Sequence, residues 1–185
     1  MSTTEQMQGL SVLEHGVSVH NYFLDLRNHI LYGTPLKYEW KLPEWIFNLD
    51  LWSKIENLET IKNYQIYHDC GKPYCLTVDE NGRKHFPDHA NISYSIWKSL
   101  GNPEIECQLM LHDMDIHMLR GEDIPAFCEL PFAATLLITG LAELHSNAVM
   151  FGGIESTSFK IKWKNINKFG ARIVSELLSM NKKYA

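Results

Sequence analysis

The stretch from residue 68 to residue 89, HDCGKPYCLTVDENGRKHFPDH, contains the strongest structural signals in the chain. The Gly-Lys-Pro at 71–73 predicts the end of a preceding helix, because proline cannot continue a helix. The Asn-Gly at 81–82 is typical of a tight turn. The Phe-Pro-Asp at 86–88 predicts the start of the next helix. We therefore expect two helices joined by a hairpin-like insertion.

Apolar residues recur at helical spacing on both sides of this stretch. One segment differs: residues 159–164, FKIKWK, alternate apolar and basic side chains, which predicts a short half-exposed strand or extended segment. The pattern as a whole predicts an all-α fold, a compact helical bundle. The expected helices cover about 10–32, 44–57, 59–69, 86–100, 103–119, 131–150 and 166–181.

Length and composition predict one globular domain over residues 1–185. The chain is 45% apolar and 21% charged, with a mean hydropathy of −0.22, which excludes wholesale disorder and a membrane bundle. No apolar run approaches the roughly 20 residues that a spanning helix needs, so we expect no membrane partner. The four cysteines form no C-x-x-C pair and the N-terminus lacks signal-peptide features. We therefore predict a cytoplasmic protein with reduced thiols.

The net charge of −5 is divided unevenly along the chain. Residues 1–155 contain 10 Lys or Arg and 21 Asp or Glu, a net −11, whereas residues 156–185 contain 7 and 1, a net +6. The basic C-terminal segment, 156–185, indicates either a polyanionic ligand or a solvated basic helix.

Several of the nine histidines stand beside acidic residues. Imidazole and carboxylate without a nearby cysteine suit a catalytic divalent ion, such as Mn, Fe, Co, Ni, Zn or Mg. Each group alone also fits an ordinary structure, either a histidine at a helix C-terminus or a solvated helix surface. The groups are His68-Asp69, His85 and His89 around Asp88, and His112-Asp113 with Asp115 and His117.

The stretch 68–89 resembles the HD-domain superfamily of metal-dependent phosphohydrolases. It is similar to the pattern HD-x-GKP … G-x-x-H-F-x-x-H of the HD domains attached to bacterial tRNA nucleotidyltransferases. His112 follows His89 by 23 residues, where such domains have a further histidine. The resemblance covers about residues 60–120.

This resemblance implies one or two divalent ions. His68 and Asp69 would bind the first ion together with an earlier histidine, for which His15 is favoured over His20. A second ion would use His89 and His112, with Asp69 as the bridge. The final acid of the family pattern aligns with Glu143, where aspartate is usual, and Asp113 or Asp115 is the alternative.

The same resemblance implies hydrolysis of a phosphate ester in a nucleotide or nucleotide-like small molecule. Asp69 and Lys72 would be the catalytic residues, and Lys72 would also contact a phosphate oxygen. Ser158, Lys160 and Lys162 are further candidates for substrate binding, in a segment that is otherwise an ordinary loop.

Three other functions remain open. One is a phosphodiesterase on 2′,3′-cyclic or RNA ends, with short RNA held by the basic segment. Another is a catalytically decayed HD module that binds a nucleotide or a protein partner. The third is an HD-type oxygenase with a di-iron centre. The oligomeric state is not predicted.

Overall fold

The computed structural model describes residues 1–7 and 9–183, and 63% of the chain is helical. The prediction of an all-α fold is therefore confirmed at the level of fold class. Within the described residues, no helix combines the length and the apolar character needed to cross a membrane. The α-helices are α1 Val12–Tyr32, α2 Leu49–Trp52, α3 Leu58–Tyr67, α4 Lys72–Cys75, α5 His89–Ser99, α6 Glu104–Leu111, α7 Asp115–Met118, α8 Ile124–Cys128, α9 Ala133–Ser146 and α10 Thr157–Lys183.

Short strands and 3₁₀ turns complete the described structure. Strand β1, Glu5–Met7, pairs antiparallel with β2, Leu10–Ser11, and β3, Thr77–Val78, pairs antiparallel with β4, Lys84–His85. The second hairpin confirms the turn predicted at 81–82, where Gly82 has the positive φ of 74° that this turn requires. The 3₁₀ turns are Glu44–Phe47 and Ala148–Phe151.

The chain divides into two compact units, each built from two segments. The first unit contains residues 1–20 and 57–114, and the second contains residues 21–56 and 115–185. Helix α1 supplies its first residues to one unit and its last residues to the other. The prediction of a single domain stays a prediction.

Helices α3, α5 and α6 of the first unit meet around a buried carboxylate. Glu106 on α6 is 2% exposed and accepts a hydrogen bond from Asn63 on α3 at 3.0 Å. It also accepts one from the indole nitrogen of Trp97 on α5 at 2.8 Å. Because a buried carboxylate needs hydrogen-bond donors, these two contacts fix how the three helices pack.

Helix α9 forms the centre of the second unit, with twelve of its fourteen residues buried. Helix α10 packs against α8 and α9 through one apolar face, on which Phe159, Ile166 and Ile173 are buried. Gly170 on the same face contacts the indole of Trp45, since a Cβ there would lie 2.5 Å from the ring. Positions 159, 166, 170 and 173 follow the period of a helix.

The prediction of an extended segment over 159–164 is wrong, because α10 begins at Thr157. A half-exposed strand would bury Ile161 together with Phe159 and Trp163. Instead, Ile161 is 59% exposed and Phe159 is fully buried, as expected for a helix. A six-residue alternation is too short to exclude helical periodicity.

Two predicted helices are interrupted. The helix expected over 44–57 is broken at Asn48, whose extended backbone (ψ 108°) lets its side chain cap the next turn. The helix expected over 103–119 is broken at 112–114, where Asp113 accepts a hydrogen bond from Tyr64 at 2.5 Å. Helix α8 was not predicted.

Candidate metal centre

Asp69 lies at the end of helix α3 and is 1% exposed. Helix α3 begins after Asn57, whose side chain accepts a hydrogen bond from the Thr60 amide, and His68 is its C-cap residue. The chain then turns tightly, with the amide of Lys72 donating to the carbonyl of Asp69 at 3.0 Å. The helix end therefore turns both the imidazole of His68 and the carboxylate of Asp69 into the interior of the first unit.

Three imidazole rings surround this carboxylate. Nε2 of His68 lies 3.2 Å and Nε2 of His15 lies 3.7 Å from Oδ2 of Asp69. Nε2 of His89 lies 3.5 Å from Oδ1. His15 and His68 are buried, and His89 is the most exposed of the three, with 15% of its side chain accessible. The structure thus brings together residues from α1, α3 and α5.

Two of the rings are oriented by backbone carbonyls. Nδ1 of His68 lies 2.8 Å from the carbonyl oxygen of Gln65, and Nδ1 of His89 lies 3.0 Å from that of Phe86. Because a carbonyl only accepts hydrogen bonds, each Nδ1 is the donor. The Nε2 lone pair of each neutral ring then points toward Asp69. This is the usual orientation of histidines that bind metal ions.

The carboxylate of Asp69 is ionised in this environment. Burial raises the pKa of Asp69, but the charges of Lys72 and of protonated His68 and His15 lower it by more, so the resulting pKa lies well below its ordinary value. When the histidines are neutral, their Nε2 acceptor atoms lie within 4 Å of an anionic oxygen. Such an arrangement needs a proton or another cation between the groups.

Lys72 supplies one such cation. Its ammonium lies 2.5 Å from Oδ2 of Asp69 and donates to Oε1 of Gln6 at 3.0 Å. It also lies 5.3 Å from the ring centroid of Phe86. Lys72 is 7% exposed, so it is directed toward the carboxylate and away from bulk solvent.

Two glycines allow the elements of the site to approach. A Cβ at Gly16 would lie 2.2 Å from the carbonyl oxygen of Ile66, so glycine permits α1 to pack directly on α3. A Cβ at Gly71 would lie 2.6 Å from the carbonyl oxygen of His89, and the Gly71 amide donates to Ser93 at 2.9 Å. These contacts bring His15 and His89 to Asp69.

His20, the alternative to His15, has a different position. Its Nδ1 lies 2.8 Å from Oε1 of Gln65, and burial lowers its pKa. His15 is thus the earlier histidine that lies at Asp69.

The remaining predicted site residues are distributed over the two units. In the first unit, His112 is the C-cap of α6. Asp113 accepts a hydrogen bond from Tyr64, and one of its ligand atoms lies within 4.8 Å of one of His68. Asp115 begins α7 in the second unit. Glu143 also belongs to the second unit, on α9, where its Oε2 lies 2.9 Å from Nε2 of His117. Ser158, Lys160 and Lys162 lie in the first turns of α10.

Several residues of the site have no recognisable signal in the sequence. Gln6 comes from a two-stranded hairpin that no pattern predicted, and it reaches Lys72 over a separation of 66 residues. Ser93 and Gln65 contact the site through ordinary positions on α5 and α3. One signal in the sequence could have indicated the position of His15. It is the adjacent Gly16, because a glycine within a helix often marks close packing against another element.

The donors at Asp69 fit a divalent metal ion. Ligand atoms of His15, His68 and Asp69 all lie within 4.8 Å of one another. Among the described residues, none donates a hydrogen bond to the buried Oδ1 of Asp69. Two imidazole nitrogens and a carboxylate oxygen are a donor set suited to Zn, Fe, Co, Ni or Mn. No family model, curated protein or solved structure matches the chain.

Proposed function

We propose that this chain is a divalent-metal-dependent phosphohydrolase of the HD type, acting on a phosphate ester of a nucleotide or nucleotide-like small molecule. The observation that carries the proposal is the convergence of His15, His68 and His89 on the buried carboxylate of Asp69. The sequence likeness of residues 68–89 to HD phosphohydrolases supports the choice of reaction.

His15, His68 and Asp69 would hold the ion. When bound, a divalent ion supplies an acidified water and polarises the phosphoryl group. The hydrogen bonds of His68 to Gln65 and of His89 to Phe86 keep the Nε2 atoms directed inward without any rearrangement.

Lys72 and His89 would act on the substrate side of the site. The ammonium of Lys72 can donate to a non-bridging phosphate oxygen while it still neutralises Asp69, because an ammonium has three donors. His89 is the most exposed histidine at Asp69, so it lies where solvent and substrate reach the cluster.

The net charge of −5 favours a small substrate over a long nucleic acid. The alternative within the same chemistry is a phosphodiesterase on 2′,3′-cyclic or short RNA ends.

A second candidate function is a non-catalytic module that binds a nucleotide or a protein partner. The observation that favours it is the ion pair between Lys72 and Asp69. A lysine that already neutralises the central carboxylate reduces the need for a metal ion at that position.

Phosphate release from a panel of nucleotides and 2′,3′-cyclic phosphates, each with Mn²⁺, Co²⁺, Ni²⁺ or Mg²⁺, tests the proposal. We expect metal-dependent release that His68→Ala and Asp69→Asn abolish. His85→Ala is the matched control, because His85 forms an exposed pair with Asp79 on the hairpin. Absence of release and of bound metal would instead support the non-catalytic module. Oxygen consumption with bound iron would indicate an oxygenase.

A further inference from the structure

Helix α10 has a row of basic side chains on its solvent-exposed face. Lys160, Lys164, Lys168 and Arg172, here called the basic row, are all exposed and are spaced four residues apart. In a helix, four residues rise about 6 Å and turn about 40° beyond a full circle, so over its three steps the row extends about 18 Å and winds about 120° around the helix. Residues 157–175 contain no Asp or Glu. The row is therefore a continuous strip of positive charge.

Most of this charge is not neutralised by the residues that the structure describes. Lys160 forms an ion pair with Glu155 at 2.7 Å. Arg172 donates to the carbonyl oxygen of Gly121 at 3.1 Å, which leaves its charge uncompensated. Within the part of the chain that the structure describes, Lys164, Lys168 and Arg172 form no ion pair.

A groove of about 900 Å³ runs beside the basic row. One wall is α10, with Trp163, Asn167, Ala171 and Ser175, and Lys168 belongs to both the groove and the row. The other wall is the segment 42–48, which includes Trp45. One face of Trp163 is covered by the ammonium of Lys41, 4.5 Å from the ring centroid. The groove therefore combines apolar walls with amide and hydroxyl groups and with one carboxylate, that of Glu44.

We propose that the basic row and this groove bind single-stranded nucleic acid, with backbone phosphates along the row and a base in the groove. Strips of positive charge beside aromatic and apolar surface are the general means of binding single strands. The proposal stands on residues of the second unit alone and goes beyond the proposed hydrolysis.

An anionic membrane surface is the rival partner for a basic helix. A helix that binds in a membrane interface must insert its apolar face into the lipid. The apolar face of α10 is already buried in the second unit, through Phe159, Ile166 and Ile173. The basic row complements the charge of either partner, but α10 has no apolar face left to insert into lipid. The nucleic acid is therefore favoured over the membrane.

The helical geometry also supplies a matched control. Lys162 is two residues from Lys160, so it points about 200° away around the helix. Its ammonium lies 5.2 Å from the ring centroid of Phe151, off the basic row. Lys162→Gln removes one positive charge, as does each Lys→Gln change in the row, but it leaves the row itself intact.

Fluorescence anisotropy of a labelled oligouridylate of about 12 nucleotides, titrated with the full chain, tests the proposal. We expect binding that weakens with salt, with a slope of log K against log salt near −2 for about three phosphate contacts. Lys164→Gln/Lys168→Gln should weaken binding about tenfold and reduce the slope by about 1.4. The control is Lys162→Gln/Lys54→Gln, in which Lys54 follows the end of α2 and lines neither the row nor the groove, and it should change both quantities much less.

The groove has its own variant pair. Ser175→Glu adds a negative charge to the groove, in addition to that of Glu44, without altering the row, and we expect it to weaken oligouridylate binding about threefold or more. Ser175→Gln should have little effect. No binding of the oligouridylate, or binding that the double variant leaves unchanged, would overturn the proposal. Binding to phosphatidylserine vesicles without binding to the oligouridylate would also overturn it, in favour of a membrane.

Discussion

The ammonium nitrogen of Lys72 lies 2.5 Å from Oδ2 of Asp69, and less than a tenth of either side chain is exposed. A buried ion pair of this kind holds its carboxylate ionised beside three histidines. The same carboxylate would be a ligand of the proposed metal ion. Lys72 therefore stabilises the site when no ion is bound, which leads to the first prediction.

Lys72→Met should destabilise the metal-free protein by about 3 kcal/mol, because it leaves the charge of Asp69 buried without this partner. Asp69→Asn/Lys72→Met should recover most of that loss, since it removes both charges. Urea unfolding in the presence of a chelator measures both values. A Lys72→Met variant as stable as the wild type would contradict the ion pair between Lys72 and Asp69.

Gly16→Ala should destabilise the protein by about 3 kcal/mol or more, because its Cβ would overlap the carbonyl oxygen of Ile66. Gly101→Ala is the control. Gly101 has a φ of 76° but open space around it, so only backbone strain of about 1 kcal/mol is expected. Thermal unfolding compares the two variants, and equal losses would contradict direct packing of α1 on α3.

Protonation of His145 should make the protein less stable in mild acid. Burial lowers the pKa of His145 to about 4, while its Nδ1 donates to the Leu141 carbonyl and its Nε2 accepts from the Lys41 amide. The pKa of His145 is about 6.5 in the unfolded chain and is lowered by folding. The neutral ring therefore contributes its full stabilisation above about pH 6.5, and this contribution is lost as the pH falls toward 4.

The expected loss from His145 is about 2 kcal/mol between about pH 7 and about pH 5, because the unfolded chain binds the proton more readily. Urea unfolding at the two pH values measures it. Glutamine in His145→Gln retains a donor and an acceptor but does not titrate. The variant should therefore lose about 2 kcal/mol less stability than the wild type between the two pH values. An unchanged pH dependence in this variant would show that His145 is not the responsible group.

The sequence predicted the parts of the site that depend on local signals. His68 and Asp69 directly precede the helix stop at 71–73, and His89 follows the Phe-Pro-Asp helix start. Their order and spacing resemble the HD pattern, and this resemblance implied a common site. The structure brings these residues together with His15. In contrast, the contact of Gln6 with Lys72 depends on long-range packing of a hairpin, which leaves no periodic pattern in the sequence.

Periodicity was misleading where a segment was short. FKIKWK at 159–164 fits both a strand and the first turns of a helix, and the continuation through Ile166, Gly170 and Ile173 decides for the helix. This difference changes the chemistry of the surface. A strand would align Lys160, Lys162 and Lys164, whereas the helix aligns Lys160, Lys164 and Lys168.

Binding of Mn²⁺ to the metal-free protein, followed by electron paramagnetic resonance, tests the central claim most directly. We expect stoichiometric binding that His15→Gln and His68→Ala each abolish, with folding checked by circular dichroism. His20→Gln and His85→Ala should bind as the wild type does, because neither histidine lies at Asp69. Folded His15→Gln and His68→Ala variants that bind Mn²⁺ as tightly as the wild type would contradict a metal centre at Asp69.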